Sequence, residues 1–329
     1  MEKYNICFSL DSNYVEQLLV SITSILKNAE ENDNIVLHIL DGGLSLCDKK
    51  NIENLKEIKS FEINYILMNN ADFKDCPMLC AMNKNFDNYH VTLPTYFRFK
   101  LSEVLPNIDK VLYLDCDVIV RKSLKDLFNI DISENSIAMI KDAVSDNEAK
   151  RLNLNNYFNA GVMLINLDFW RKNDIQNKLF EFAKNNKDII LWQDQDVINC
   201  VLNDSILELS NKFNYQYFLY KEIDFEAYQK CSILHLAGAF KPWLNPLKHF
   251  VYDEYYFYLS FTPYKNKIIE YERKSFGKYL KNNIGYNFDS IMLVADEFEL
   301  AMQAEEIYPQ KEHKCFCRKF FGLFKKGGK

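Results

Sequence analysis

Along the N-terminal part of the chain, the spacing of apolar residues switches between the period of a strand and that of a helix. NICFSL (5–10) is a short apolar run ending at Asp11, Ser12 and Asn13, a cluster that caps helices through Asp11 or Ser12. Behind it Val15, Leu18, Leu19, Ile22, Ile25 and Leu26 recur at three-and-four spacing, which predicts a helix with one apolar face. NIVLHIL (34–40) predicts a second strand, Asp41-Gly42-Gly43 a turn, Leu46–Ile58 a helix, and FEINYILM (61–68) a third strand. This alternation predicts an α/β fold, a mostly parallel sheet with helices on both faces. Sheets of that kind bind ligands beyond the carboxyl ends of their strands.

Further on, LPTYFRFKLSEVL (93–105) predicts a helix that leads into the apolar run KVLYLDCDVIV (110–120). SIAMIKD (136–142) reads as a strand ending at Asp142, and a helix is expected near Ile175–Asn185. Beyond about residue 250 the pattern turns to aromatic and charged residues at helical spacing. The expected organisation is one domain over 1–250, a helical extension over 251–310 and a tail over 311–329.

Composition changes this picture little. With 329 residues, 48% hydrophobic and 26% charged, the chain can bury a large core, which excludes disordered and fibrous classes. The 9 cysteines are odd in number and form no CxxC pair, which favours a reducing compartment over secretion. The opening MEKYNICFSL lacks a basic stretch ahead of an apolar one, and no run reaches the ~18 to 20 apolar residues of a membrane span. A cytoplasmic protein is expected. Charge adds a refinement: residues 311–329 hold seven Lys or Arg and one Glu, so this end is about +6 and the rest near −12 of the total −6.

The polar residues inside apolar runs carry the candidate chemistry. With a side-chain period of two, Asp115 and Asp117 in YLDCDVIV point the same way with Cα atoms roughly 6.5 Å apart. Two such carboxylates repel unless a cation lies between them, and a divalent ion would satisfy both. The alternative is structural, one aspartate capping a turn while the other pairs with Arg121. HLAGAFKPW (235–243) sets His235, Gly238 and Lys241 close together, a combination suited to a metal and a diphosphate. A histidine with two carboxylates suits Mn²⁺ better than Mg²⁺, which prefers oxygen ligands. In YFNAGVMLIN, Asn159, Ala160 and Gly161 are expected in a tight polar turn before a strand, where small residues let a ligand approach the backbone. WQDQDVIN (192–199) places Gln193, Asp194, Gln195 and Asp196 ahead of a helix; one acid, Asp196, is explained by a helix N-terminus.

Taken in order, SLDSNY, LPTYFRFKL, VLYLDCDVIV, YFNAGVMLINLDFW, WQDQDVIN and HLAGAFKPW resemble the motifs of family 8 glycosyltransferases over residues 4 to about 250. The likeness is to the bacterial lipopolysaccharide galactosyl- and glucosyltransferases, with glycogenin more distant. It implies a GT-A fold, a UDP-hexose donor (glucose or galactose), Mn²⁺ with Mg²⁺ as the alternative, and transfer to a saccharide or glycolipid acceptor with retention of configuration. By the same resemblance Asp11, Asn13 and Arg98 would hold the donor, Asp115, Asp117 and His235 the metal, and Gly238 and Lys241 the diphosphate. Asn159, Ala160 and Gly161 would line the donor sugar. Asp194, Gln195 and Asp115 would be the catalytic group, and His90, Asp142 and Gln193 would face the acceptor. Some relatives carry a second acid where this chain has Ser12, a difference that bears on donor choice.

Two other classes fit less well. A sugar-phosphate nucleotidyltransferase would carry a glycine-rich basic loop near its start, and SLDSNY is not one. A non-catalytic sugar-binding relative would have lost metal ligands that this chain keeps. No nucleic-acid partner is expected. In the tail HKCFCRKFFGLFKKGGK, Phe316, Phe320, Leu323 and Phe324 fall on one helical face and Lys314, Arg318, Lys319, Lys325 and Lys326 on the other. That pattern suits peripheral attachment to an anionic inner membrane face.

Overall fold

The structure of the chain is a computed structural model that describes residues 3–78, 92–219, 221–238, 240–247 and 249–284, with side chains up to 275. It opens with strand β1 (Lys3–Leu10), helix α1 (Val15–Asn28), β2 (Asn34–Asp41), helix α2 (Leu46–Glu53) and β3 (Glu62–Leu67). The strands that follow are β4 (Lys110–Leu114), β5 (Val118–Val120), β6 (Ile137–Lys141), β7 (Phe158–Asn166), β8 (Ile206–Glu208), β9 (Tyr215–Gln216) and β10 (Ile233–His235).

Seven strands form the central sheet in the order β3-β2-β1-β4-β7-β6-β8. All neighbours pair in parallel except β7, which runs antiparallel to both β4 and β6. The period-two pattern assigns the two faces. Ile6, Phe8, Leu112, Leu114, Val162 and Leu164 pack with Leu18, Leu19, Ile22 and Ile25 of α1 in one apolar cluster. Cys7, Val111, Tyr113, Met163 and Ile165 face the other way, into a cluster with Phe97, Phe99, Leu179 and Val197. Helices therefore cover both faces of a mostly parallel sheet, as the strand–helix alternation predicts.

Three local expectations need correction. YLDCDVIV is not one strand: β4 stops at Leu114, residues 115–117 turn, and β5 joins a second sheet of order β5-β10-β9. Asn159, Ala160 and Gly161 are not a turn ahead of a strand but lie within β7, whose nine residues are all buried. LPTYFRFK is a 3₁₀ helix rather than an α-helix, continued by an α-turn over Leu101–Val104.

Residues Met1–Glu272 form one compact unit and Arg273–Lys329 a second. The first includes the helix Phe250–Leu259, which packs on α1 through Tyr255; its hydroxyl donates to the buried Glu16 at 2.7 Å. No helix among the described residues is long and apolar enough to cross a membrane. The expected tail over 311–329, the part of the extension beyond residue 284 and His90 lie outside the described residues.

Candidate active site

The break between β4 and β5 is what assembles the site. After β4 the chain turns through Asp115, Cys116 and Asp117, and β5 then pairs antiparallel with β10 so that Val118 lies opposite His235. The Leu236 amide donates to the Asp117 carbonyl at 3.0 Å, extending that pairing by one residue. This register brings Asp115, Asp117 and His235 together, with one ligand atom from each within 4.8 Å of the others. Opposite ligands of an ion with bonds of ~2.0–2.6 Å stand about 4.0 to 5.2 Å apart, so the three side chains fit one divalent cation.

The hydrogen bonding around His235 says more. Asn214 donates its amide NH₂ to Asn159 Oδ1 at 2.9 Å, which turns its own oxygen toward His235 Nδ1 at 3.1 Å. Nδ1 is therefore the donor, and the Nε2 lone pair faces Asp117 Oδ1 at 3.3 Å. Asp117 Oδ1 is buried and accepts no hydrogen bond. Two lone pairs turned toward each other in a buried site call for a cation between them, and a carbonyl oxygen behind the imidazole is the usual support of a metal-binding histidine.

Lys241 completes this corner: its Nζ lies 2.5 Å from Asp117 Oδ2 and 2.5 Å from the Leu236 carbonyl. Burial would raise the Asp117 pKa, but the Lys241 ammonium outweighs it and holds the carboxyl below the usual range. Gly238, three residues before Lys241, adopts φ +77, and a Cβ there would lie 2.9 Å from the Phe218 ring.

Arg98 joins the two halves of the site. Its buried guanidinium donates to Asp115 Oδ1 at 2.8 Å and to the Ala160 carbonyl at 2.7 Å, and lies 3.1 Å from Asp194 Oδ2. The guanidinium carbon sits 4.1 Å from the centroid of the Tyr113 ring, a cation–π contact inside the core. Thr95 donates to the other oxygen of Asp194. Burial nevertheless raises the Asp194 pKa to about 6, against the pull of Arg98 and the Thr95 hydrogen bond.

The helix Gln193–Leu202 begins at these residues. Gln193 has φ +38, a left-handed conformation that non-glycine residues rarely adopt. Gln195 accepts from the Ala160 amide at 2.9 Å and donates to Asp142 Oδ2 at 3.2 Å, while Asn159 donates to the same Asp142 oxygen at 3.0 Å. Asp196 is structural: it accepts from Arg151, Tyr157 and the amides of Leu191 and Trp192. Asp11 caps the turn after β1 by accepting from the Asn13 amide at 2.9 Å, and Ser12 donates to the Gly43 carbonyl and Asp48.

Contacts thus link Arg98, Asp115, Ala160 and Asp194 on one side, Asp117, His235 and Lys241 on the other, and Asp142, Asn159 and Gln195 beside them. Gly161 separates the first two groups: a Cβ there would strike the His235 ring and lie 3.0 Å from Asp115 Oδ2. The structural alternative, a pairing of one aspartate with Arg121, does not form, since Arg121 pairs with Glu254. Asn214 and Thr95 were not foreseen. NKFNYQYF carries no motif, and a buried Asn beside an imidazole shows only once the fold is known.

Comparison with known proteins gives the family of the chain. The family model described as glycosyl transferase family 8 matches residues 5–246. General stress protein A of Bacillus subtilis is 26% identical over 270 residues, covering 77% of this chain and 91% of that protein. Lipopolysaccharide 1,3-galactosyltransferase of Salmonella typhimurium is 28% identical over 260 residues, 74% of this chain and 73% of that one. Among solved structures, the galactosyltransferase LgtC in complex with donor and acceptor sugar analogues superposes with a TM-score of 0.67 at 28% identity, over 79% of this chain and 96% of that one.

Proposed function

Because the chain belongs to glycosyltransferase family 8, we propose that it moves a hexose from a UDP-sugar to a saccharide acceptor such as lipopolysaccharide or a glycolipid, with retention of configuration. The observation that carries this reading is the pair of inward-facing lone pairs at His235 Nε2 and Asp117 Oδ1, beside the Lys241 ammonium. Asp115, Asp117 and His235 would hold Mn²⁺, which when bound supplies Lewis-acid stabilisation of the departing diphosphate. Lys241 adds a positive charge to the same leaving group, with Gly238 leaving room for the backbone to approach it. Asp11, Asn13 and Arg98 would hold the rest of the donor, and Asn159, Ala160 and Gly161 would border its sugar. By the same resemblance Gln193, Asp142 and His90 would face the acceptor.

Two side chains lie where an enzyme nucleophile would be sought, and neither is free. Gln195 is a neutral amide whose oxygen already accepts from Ala160, and Asp194 is held by Arg98 and Thr95. This favours attack by the acceptor hydroxyl on the face that UDP leaves, with the departing phosphate taking the hydroxyl proton. Assay of UDP release from UDP-glucose, UDP-galactose and their N-acetyl forms, with Mn²⁺ added or chelated, is expected to show metal-dependent release from one donor and none in Asp117→Asn. A chain that binds no UDP under any of these conditions would sink the reading. Mass spectrometry of the turnover mixture should find no glycosyl adduct on Asp194 or Gln195, and an adduct would replace same-face attack with a double displacement.

The basic, aromatic segment 311–329 is proposed as the attachment to an anionic membrane face, which would bring the enzyme to a lipid-borne acceptor. Cosedimentation with phosphatidylglycerol vesicles should be lost on truncation at residue 310. Retention in the pellet would exclude that role.

A further inference from the structure

Lys241 lies in a stretch without strand neighbours, between β10 and the helix Phe250–Leu259. Pro242 follows it and has no amide hydrogen to offer. What holds this backbone comes from the helix. Tyr252 donates to the Phe240 carbonyl at 2.8 Å, and Tyr256 donates to the Pro242 carbonyl at 3.1 Å. Tyr252 and Tyr256 stand four residues apart on one helical face, and their two acceptors bracket Lys241. The carbonyl of Lys241 itself accepts from the Asn245 amide at 2.8 Å, so three successive carbonyls are tied down.

The helix that carries these tyrosines is anchored in turn. Trp243 packs on Tyr255 with ring centroids 5.1 Å apart, and Glu16 of α1 accepts from Tyr255, Tyr271 and Lys267 at 2.7 to 2.8 Å. α1 starts two residues after Asn13, so the anchor stands on the helix that follows the proposed donor-binding turn.

We propose that Tyr252 and Tyr256 are positioning residues for Lys241, setting the place from which its ammonium reaches the donor diphosphate; this rests on the assignment of Lys241 to that group under the proposed function. A lysine ammonium rides on a flexible four-carbon stem, so its field at a phosphate depends on where the backbone holds the root of that stem. Removing either phenol oxygen frees one carbonyl without changing a residue that contacts the nucleotide.

The test is calorimetric binding of UDP and of uridine to the full chain with Mn²⁺, for Tyr252→Phe, Tyr256→Phe and both together, each also in a Lys241→Met background. One lost hydrogen bond corresponds to about a fivefold effect. Each single variant should weaken UDP by about that much and leave uridine unchanged, and neither should add to the loss caused by Lys241→Met. Equal losses for uridine, or losses that persist undiminished in Lys241→Met, would assign the tyrosines a merely structural role and overturn the proposal. Full UDP affinity in Tyr252→Phe/Tyr256→Phe, with Lys241→Met impaired, would overturn it while leaving the diphosphate assignment standing. Full UDP affinity in Lys241→Met would remove that assignment, and the proposal with it.

Discussion

Gly161→Ala is expected to lose measurable Mn²⁺ binding and at least about 100-fold in transfer rate, with the fold retained. The added methyl has no backbone objection to meet, because Gly161 sits inside β7 with an ordinary strand conformation. It meets side chains instead: the His235 ring, which must leave, and Asp115 Oδ2 at 3.0 Å. His235 is held from behind by Asn214, so a displaced ring gives up either that hydrogen bond or its place opposite Asp117. Overpacking of this kind costs about 1–3 kcal/mol of stability, which a unit of this size tolerates. Equilibrium dialysis with Mn²⁺, alongside a thermal melt, separates the two effects. Wild-type metal affinity in Gly161→Ala would mean that the imbalance at His235 Nε2 is met without a cation.

That result would bear on a residue whose importance the sequence discloses only in part. The strand and helix periods near the N-terminus were legible because each element buries one face, and burial is what writes a pattern into a chain. The parallel sense of β1, β2 and β3 was legible from the alternation, and their order in the sheet was not. The candidate site was legible as a set of residue types, since carboxylates, imidazole and lysine inside apolar runs need a reason to be there. Their mutual placement was not. YLDCDVIV keeps strand-like character from Tyr113 to Val120, and the break after Leu114 is decided by pairing with β10, more than a hundred residues away. The insertion of β7 between β4 and β6 is likewise a tertiary choice. Asn159 reads as a turn residue by propensity, yet in β7 its buried amide is satisfied by Asp142, Gln195 and Asn214. Long-range partners outweigh local preference there.

Asp194→Asn is expected to make the protein more stable at alkaline pH and less active at every pH. Burial raises the folded-state pKa of Asp194 to about 6 from an ordinary value of 3.8. Below the lower value the group is neutral in both folded and unfolded chains and costs nothing. As pH rises between the two values the unfolded chain ionises first, so stability is lost progressively, and the loss is complete above the folded value. An asparagine never ionises. Its advantage should therefore be small near pH 4 and reach on the order of 3 kcal/mol at pH 8. Arg98 is not stranded by the change, because it keeps Asp115 and the Ala160 carbonyl. The Asn amide group can donate to Thr95 in place of the bond that the carboxylate accepts from it. Activity should fall about 100-fold or more if this carboxylate stabilises positive charge developing on the donor sugar. Urea titrations at pH 4 and pH 8, set beside transfer rates, test both halves. A variant less stable than wild type at pH 8 would show that attraction to Arg98 exceeds the cost of burying the charge. A variant with full activity would remove Asp194 from the chemistry. The expected pairing of gained stability with lost rate is the mark of a carboxylate kept buried for its reaction and against the interest of the fold.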